Sequence, residues 1–168
     1  MEKFQELREL SKKRIRVADH MLTMTYPLVQ DSKLLLAVVE NIFLALTYIM
    51  GSVLHYERTF KRIPLFQDDF SSKFNMFSSK VVGKYNISAA HISLIQDIRN
   101  LIIEHKKSPV EFTRKDNLVI CSDNYSIKTV SVDALKNYIS KAKLFIDEMS
   151  KITAIDESIF NNNQSGLK

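Results

Sequence analysis

Arg99 and Asn100, followed by Leu101-Ile102-Ile103-Glu104-His105, bring a fixed cation, a small amide and an imidazole to the end of a strongly periodic helix. Arginine neutralises phosphate oxygens with a planar fork, and histidine exchanges a proton near neutral pH. Together they suit work on a phosphodiester. Six residues of helix give about 9 Å of rise and roughly 120° of net rotation. Arg99 and His105 of one chain therefore do not aim at one atom. A site composed from two copies joins them more easily, and a symmetric dimer is the commonest oligomer.

Basic residues surround this stretch. Lys106-Lys107 follow it directly, and Arg114-Lys115 lie a little further on. Other clusters are Lys12-Lys13-Arg14 with Arg16, Lys61-Arg62, and Lys141 with Lys143, giving a net charge of +5 at pH 7. A basic surface favours a polyanion, RNA above all where no DNA-binding motif is visible. The plainer alternative is a solvated surface of modest charge.

The chain has 168 residues, enough for one domain with a hydrophobic core, expected over residues 1–160. With 3 Gly and 3 Pro it is poor in turn residues, so the composition points to a mainly α fold. Cys121 is the only cysteine, which rules out an intrachain disulfide and fits a reducing, cytoplasmic setting. Met1 to Glu6 lacks the apolar core of a signal peptide. Leu34 to Leu54 is apolar and long enough to span a bilayer. Yet Glu40 and Asn41 sit within it, and a carboxylate there costs roughly 2.5–3.5 kcal/mol. A buried central helix is the better reading, with no membrane partner.

The positioning elements follow from periodicity. The first helix is expected from Lys3 to Tyr26, closed by Pro27. A second starts after Asp31 or Ser32, either of which can cap it, and runs to about Arg58. Its polar residues Glu40, Asn41, Thr47, Tyr48 and His55 recur at steps near seven and are expected to share one face, with Gly51 letting another backbone come close. Phe66, Phe70, Phe74, Phe77 and Val81 recur at steps of four and three, after Asp68-Asp69 and before Gly83. That spacing predicts a short amphipathic helix over 67–81 whose phenylalanines cap the core. A third long helix begins near Asn86 or Ser88 and ends by Ser108-Pro109. The period then changes: Glu111 to Val132 alternates around Ser122-Asp123-Asn124 as a β-hairpin that must lean on the helices or on a second copy. A fourth long helix starts at Ser131. The polar residues 161–168 read as a disordered tail.

Four long helices with Arg99, Asn100 and His105 near the end of the third resemble the HEPN superfamily. Its members are small α-helical bundles, and many are metal-independent endoribonucleases in toxin–antitoxin, antiviral and CRISPR-associated systems. Their signature is an arginine, four to six residues, then a histidine, often with Asn, Asp or His just after the arginine. Here five residues separate Arg99 from His105, and Asn100 fills the polar slot. Arg14 and His20 fit the same loose spacing, but Ile15 follows that arginine and the pair lies in the wrong helix. The hairpin between helices three and four is an insertion relative to the plainest bundles. AMP-modified relatives carry a tyrosine two residues after the histidine, where this chain has Lys107.

The resemblance implies a catalytic set of Arg99, Asn100 and His105 that cleaves RNA by attack of the ribose 2′-hydroxyl in a homodimer. His105 would move the proton, Arg99 would hold the scissile phosphate, and Asn100 would orient one or the other. Lys106, Lys107, Arg114 and Lys115 would grip the RNA backbone. Glu40, Asn41 and Tyr48 on helix two would support the cleft, and an antitoxin or other protein would be a further partner. No cofactor or metal is expected: His20, His55, His91 and His105 form no Glu-x-x-His pair. The rival reading is a catalytically inactive HEPN-like module that binds RNA or a protein. A third is a structural bundle that docks through its phenylalanine helix.

Overall fold

The computed structural model describes residues 1–107, 110–114 by their backbone path, 116–121 and 126–157. Its helices are α1 (Lys3–His20), α2 (Tyr26–Val29), α3 (Ser32–Thr59), α4 (Phe70–Met76), α5 (Ala89–Lys107) and α6 (Val132–Ala154), with strands β1 (Val110–Arg114), β2 (Asn117–Cys121) and β3 (Ile127–Ser131) between α5 and α6. The fold is mainly helical. The four long helices expected from the sequence are α1, α3, α5 and α6. The tail over 161–168 and Lys115 lie outside the described residues.

Pro27 does not close the first helix. The chain passes through a π-helical turn at Met21–Thr25, in which the Tyr26 amide donates to the Met21 carbonyl, and continues helically to Val29. Proline lacks an amide donor and its ring crowds the carbonyl four residues back. Here it falls in the first turn of α2, where those bonds are not needed, and Gln30 in the left-handed region stops the helix instead. Asp31 then caps α3, accepting from the Lys33 amide at 2.9 Å.

α3 is the centre. It packs most extensively on α1, next on α6, and also meets α5 and α4. By length and composition this helix is apolar enough to cross a membrane. In the fold most of its leucines and all of its isoleucines and valines are buried against the other helices, while Glu40 is exposed. Two buried serines lock α1 to α3. Ser11 Oγ donates to the Ala45 carbonyl and Ser52 Oγ to the Phe4 carbonyl, each at 2.6 Å. Removal of either hydroxyl would leave a close helix–helix contact without its polar bridge.

Gly51 faces α1 as well, but no backbone uses the space. A Cβ there would meet Leu7 Cδ1 at 3.5 Å, an ordinary contact. Glycine inside a helix costs about 0.5–1 kcal/mol relative to alanine. Gly51→Ala is therefore expected to stabilise the protein by that amount, read as a rise of a few degrees in melting temperature. A fall would mean that α1 and α3 approach more tightly than the 3.5 Å contact indicates.

The phenylalanine helix is shorter than its periodicity predicts. Asp69 caps it, accepting from the Ser72 amide at 2.8 Å, so α4 begins at Phe70. After Met76 a π-helical turn runs over Phe77–Val81. Phe77 and Val81 are fully buried, whereas Phe66, Phe70 and Phe74 pack on the core's margin.

The turn expected at Ser122-Asp123-Asn124 lies outside the described residues, but the strands flanking it, β2 and β3, belong to a three-stranded antiparallel sheet in the order β1-β2-β3. The extra turn lies between Arg114 and Asn117, which pair directly. Asp116 adopts φ 62° there, a left-handed conformation that aspartate tolerates better than most residues. β2 pairs with β3 from Asn117↔Ser131 to Cys121↔Ile127. Leu118, Ile120 and Val130 join the main core, so the sheet leans on the helices. Asp116 fastens it at one corner. Its carboxylate accepts from Tyr26 Oη at 3.1 Å and its carbonyl from the Val132 amide at 3.0 Å. Burial, and next the Asp116 carboxylate, push the Tyr26 phenol up from its ordinary value.

Candidate functional site

α5 presents two different surroundings to its signature residues. Its buried face carries His91, Leu94, Ile95, Ile98, Leu101 and Ile102, a helical stripe turned to the core. Arg99 lies at the edge of that stripe and reaches across to α4. Its guanidinium carbon sits 4.3 Å from the Phe70 ring centroid, and Nη2 donates to Ser71 Oγ at 3.0 Å. A planar cation over an aromatic face adds about 0.5–1 kcal/mol at a partly exposed site. Asn100, beside it, is exposed. Both line an open cleft of about 490 Å³ between α4 and α5, together with Phe70, Phe74, Gln96, Asp97 and Ile103.

His105 lies almost two turns further on and lines a second cleft, of about 280 Å³, with Glu40, Phe43, Leu44, Ile102 and Lys106. Its side chain is 25% exposed, and Nε2 stands 3.9 Å from Glu40 Oε1. At that distance the carboxylate acts by its charge and not by a hydrogen bond. The Phe43 and Phe70 rings, 5.3 Å apart between centroids, separate the clefts. In one chain, then, Arg99 and His105 are close neighbours in sequence but open into different hollows, as their helical offset requires.

Of the supporting residues expected on the second long helix, only Glu40 stands beside His105. Asn41 is turned the other way. It is buried toward α1, accepting from Arg14 Nη1 at 3.3 Å and donating to the Ala37 carbonyl at 2.8 Å. Adjacent helical residues point about 100° apart, so Glu40 and Asn41 do not share a face. Tyr48 is partly buried two turns from Glu40 and lines neither cleft. The bond to Asn41 also gives Arg14 a structural task, separate from His20.

Lys106 and Lys107 are exposed at the end of α5. Arg114 ends β1; its side chain, like the whole of Lys115, lies outside the described residues. Lys128 on β3 reaches to 3.5 Å from Glu104 Oε2, tying the sheet to α5 one residue before His105. The same oxygen is buried without a hydrogen bond, so Lys128 meets it through charge alone.

The other histidines lie elsewhere. His91 is buried, with Nε2 2.7 Å from Glu148 Oε2 and its ring 5.0 Å from that of Phe145. His55 packs against the edge of Phe66, and burial, then the charges of Lys3 and Lys73, hold its imidazole below the usual value. Among the described residues no three His, Cys, Asp or Glu side chains converge as metal ligands.

Sequence reasoning missed Phe43, Phe70, Phe74, Ser71, Gln96 and Asp97 as site residues. Gln96, Arg99, Asn100 and Ile103 stand at steps of three, one and three, a second stripe on α5 that was legible beside the apolar one. That α4 lies against this stripe was not.

No family profile, curated protein or solved structure matches this chain.

Proposed function

We propose that this chain is a metal-independent endoribonuclease of the HEPN type, acting as a homodimer in a toxin–antitoxin or other defence setting. The four long helices would form the HEPN bundle, with α4 and the three-stranded sheet as additions. The observation that carries the reading is the partly exposed His105 imidazole in an open cleft, with the Glu40 carboxylate 3.9 Å away. His105 removes the proton of a ribose 2′-hydroxyl, whose oxygen attacks the adjacent phosphorus. The bond to the 5′-oxygen breaks, that oxygen takes up a proton, and a 2′,3′-cyclic phosphate remains.

Arg99 and Asn100 supply phosphate binding from the neighbouring cleft. Because one chain opens these residues into two hollows, the productive pairing is between His105 of one copy and Arg99 of the other. Lys106 and Lys107 hold flanking phosphates through salt-sensitive, sequence-blind contacts. The defence setting rests on the HEPN resemblance. The test is cleavage of single-stranded RNA in the presence of EDTA by the wild type, Arg99→Ala and His105→Ala. Cleavage that survives chelation and disappears in both variants supports the reading. Equal activity in all three overturns it.

One observation favours the second reading, an inactive RNA- or protein-binding module. The guanidinium of Arg99 already holds Phe70 and Ser71 of its own chain. That version predicts RNA binding without cleavage.

A further inference from the structure

The cleft between α4 and α5 has a make-up that phosphate binding alone does not require. One wall is aromatic: Phe70 and Phe74, one helical turn apart, lie nearly parallel at 13° with centroids 5.7 Å apart. Arg99 covers Phe70, and Phe43 flanks it, which leaves Phe74 as the more available ring. The α5 side is largely polar, made by Gln96, Asp97 and Asn100 with Ile103. Gln96 and Asn100 make no side-chain hydrogen bond among the described residues, so both amides stand ready for another partner. The hollow is open and about 490 Å³ in volume, ample for one planar heterocycle and its sugar.

The geometry points to a nucleobase-reading subsite: the α4–α5 cleft takes one unpaired base of a single-stranded RNA, stacked on Phe74 and read along its edge by Gln96 and Asp97. Unpaired RNA bases are recognised in this way, by an aromatic face and by hydrogen bonds to the base edge. The carboxylate of Asp97 only accepts hydrogen bonds, so where it meets position 4 of a pyrimidine it selects the exocyclic amino group over a carbonyl. Cytosine presents such a donor and uracil presents a carbonyl at the same place. Arg99, at the rim on Phe70, then meets the phosphate next to the bound base, and Asn100 the sugar or that phosphate. The inference rests on RNA being the partner in the reading above, but not on its cleavage.

The test uses the full chain and uncleavable oligomers, labelled 2′-O-methyl oligocytidine and oligouridine, with binding followed by fluorescence anisotropy at fixed salt. The wild type is expected to bind the cytidine oligomer about tenfold more tightly. Phe74→Leu, which keeps an apolar side chain, is expected to weaken both oligomers about tenfold. Asp97→Ala changes an exposed residue and is expected to erase the preference while leaving the melting temperature unchanged. Equal binding of the two oligomers by the wild type, or a preference that survives Asp97→Ala, overturns the inference. If Phe74→Leu fails to fold, Asp97→Ala decides alone. Should cleavage of ordinary RNA prove independent of His105 while the cytidine preference behaves as described, the nuclease reading falls and the subsite stands. Cleavage dependent on His105 with no base preference removes the subsite alone.

Discussion

His105→Ala is expected to lower RNA cleavage by at least about 100-fold, the usual contribution of a positioned acid–base group, with little loss of stability. The His105 side chain is 25% exposed and that of Glu40 beside it is 56% exposed, so solvent reaches both when the ring is removed. A solvent-reached contact at 3.9 Å contributes about 1 kcal/mol or less. Activity and stability therefore separate at His105, which they do not at Arg99. Arg99→Ala is expected to cost about 100-fold in cleavage through the lost phosphate contact. It also loses the contacts to Phe70 and Ser71, worth about 1 kcal/mol. Arg99→Lys keeps the charge but not the planar fork and should recover stability more than activity. Cleavage rates read beside melting temperatures check all three. A His105→Ala variant that cleaves at the wild-type rate would remove the imidazole from the chemistry.

The largest loss of stability is expected from Phe145→Ala, far from either cleft. Phe145 is fully buried and holds three elements together: Phe77 from the π-helical turn meets its ring at 6.1 Å, His91 from α5 at 5.0 Å, and α6 carries it. Truncating a buried phenylalanine removes its transfer energy and leaves a cavity, about 3–5 kcal/mol in all. For a chain of this size that is a fall of about 10 °C in melting temperature. His91 keeps its Glu148 partner, and the clefts around Arg99 and His105 lie elsewhere, so cleavage per folded molecule should be unchanged. Leu28→Ala, at a residue 86% exposed, should shift stability by no more than about 0.5 kcal/mol. A small effect of Phe145→Ala would mean that the junction closes readily around a smaller side chain.

The helices were legible because their signals are local. Asp31, Asp69 and Ser131 cap where a side-chain oxygen precedes an apolar run. The α5 stripe has one clear period. What escaped depended on neighbours distant in sequence. Pro27 looked like a stop because periodicity does not register a π-helical turn, which lets the chain carry proline into a fresh first turn. The Asp116 turn went unseen because Lys115-Asp116 lacks glycine, and the alternation on either side merged into one strand. Steps near seven group Glu40 and Asn41 with one polar face, although adjacent helical positions diverge; packing on α1 claims Asn41 and leaves Glu40 to His105. Arg99's spacing to His105 was visible, but not that α4 folds back to receive its guanidinium.

The central claim is that the histidine of one copy works with the arginine of another, and subunit complementation tests it most directly. Arg99→Ala and His105→Ala chains, each nearly inactive, are mixed under conditions that let dimers exchange. Each mixed dimer then holds one intact His105 and one intact Arg99 on different chains. A substantial recovery of EDTA-resistant RNA cleavage over either variant alone is the predicted result; a mixture as inactive as its two components would contradict it.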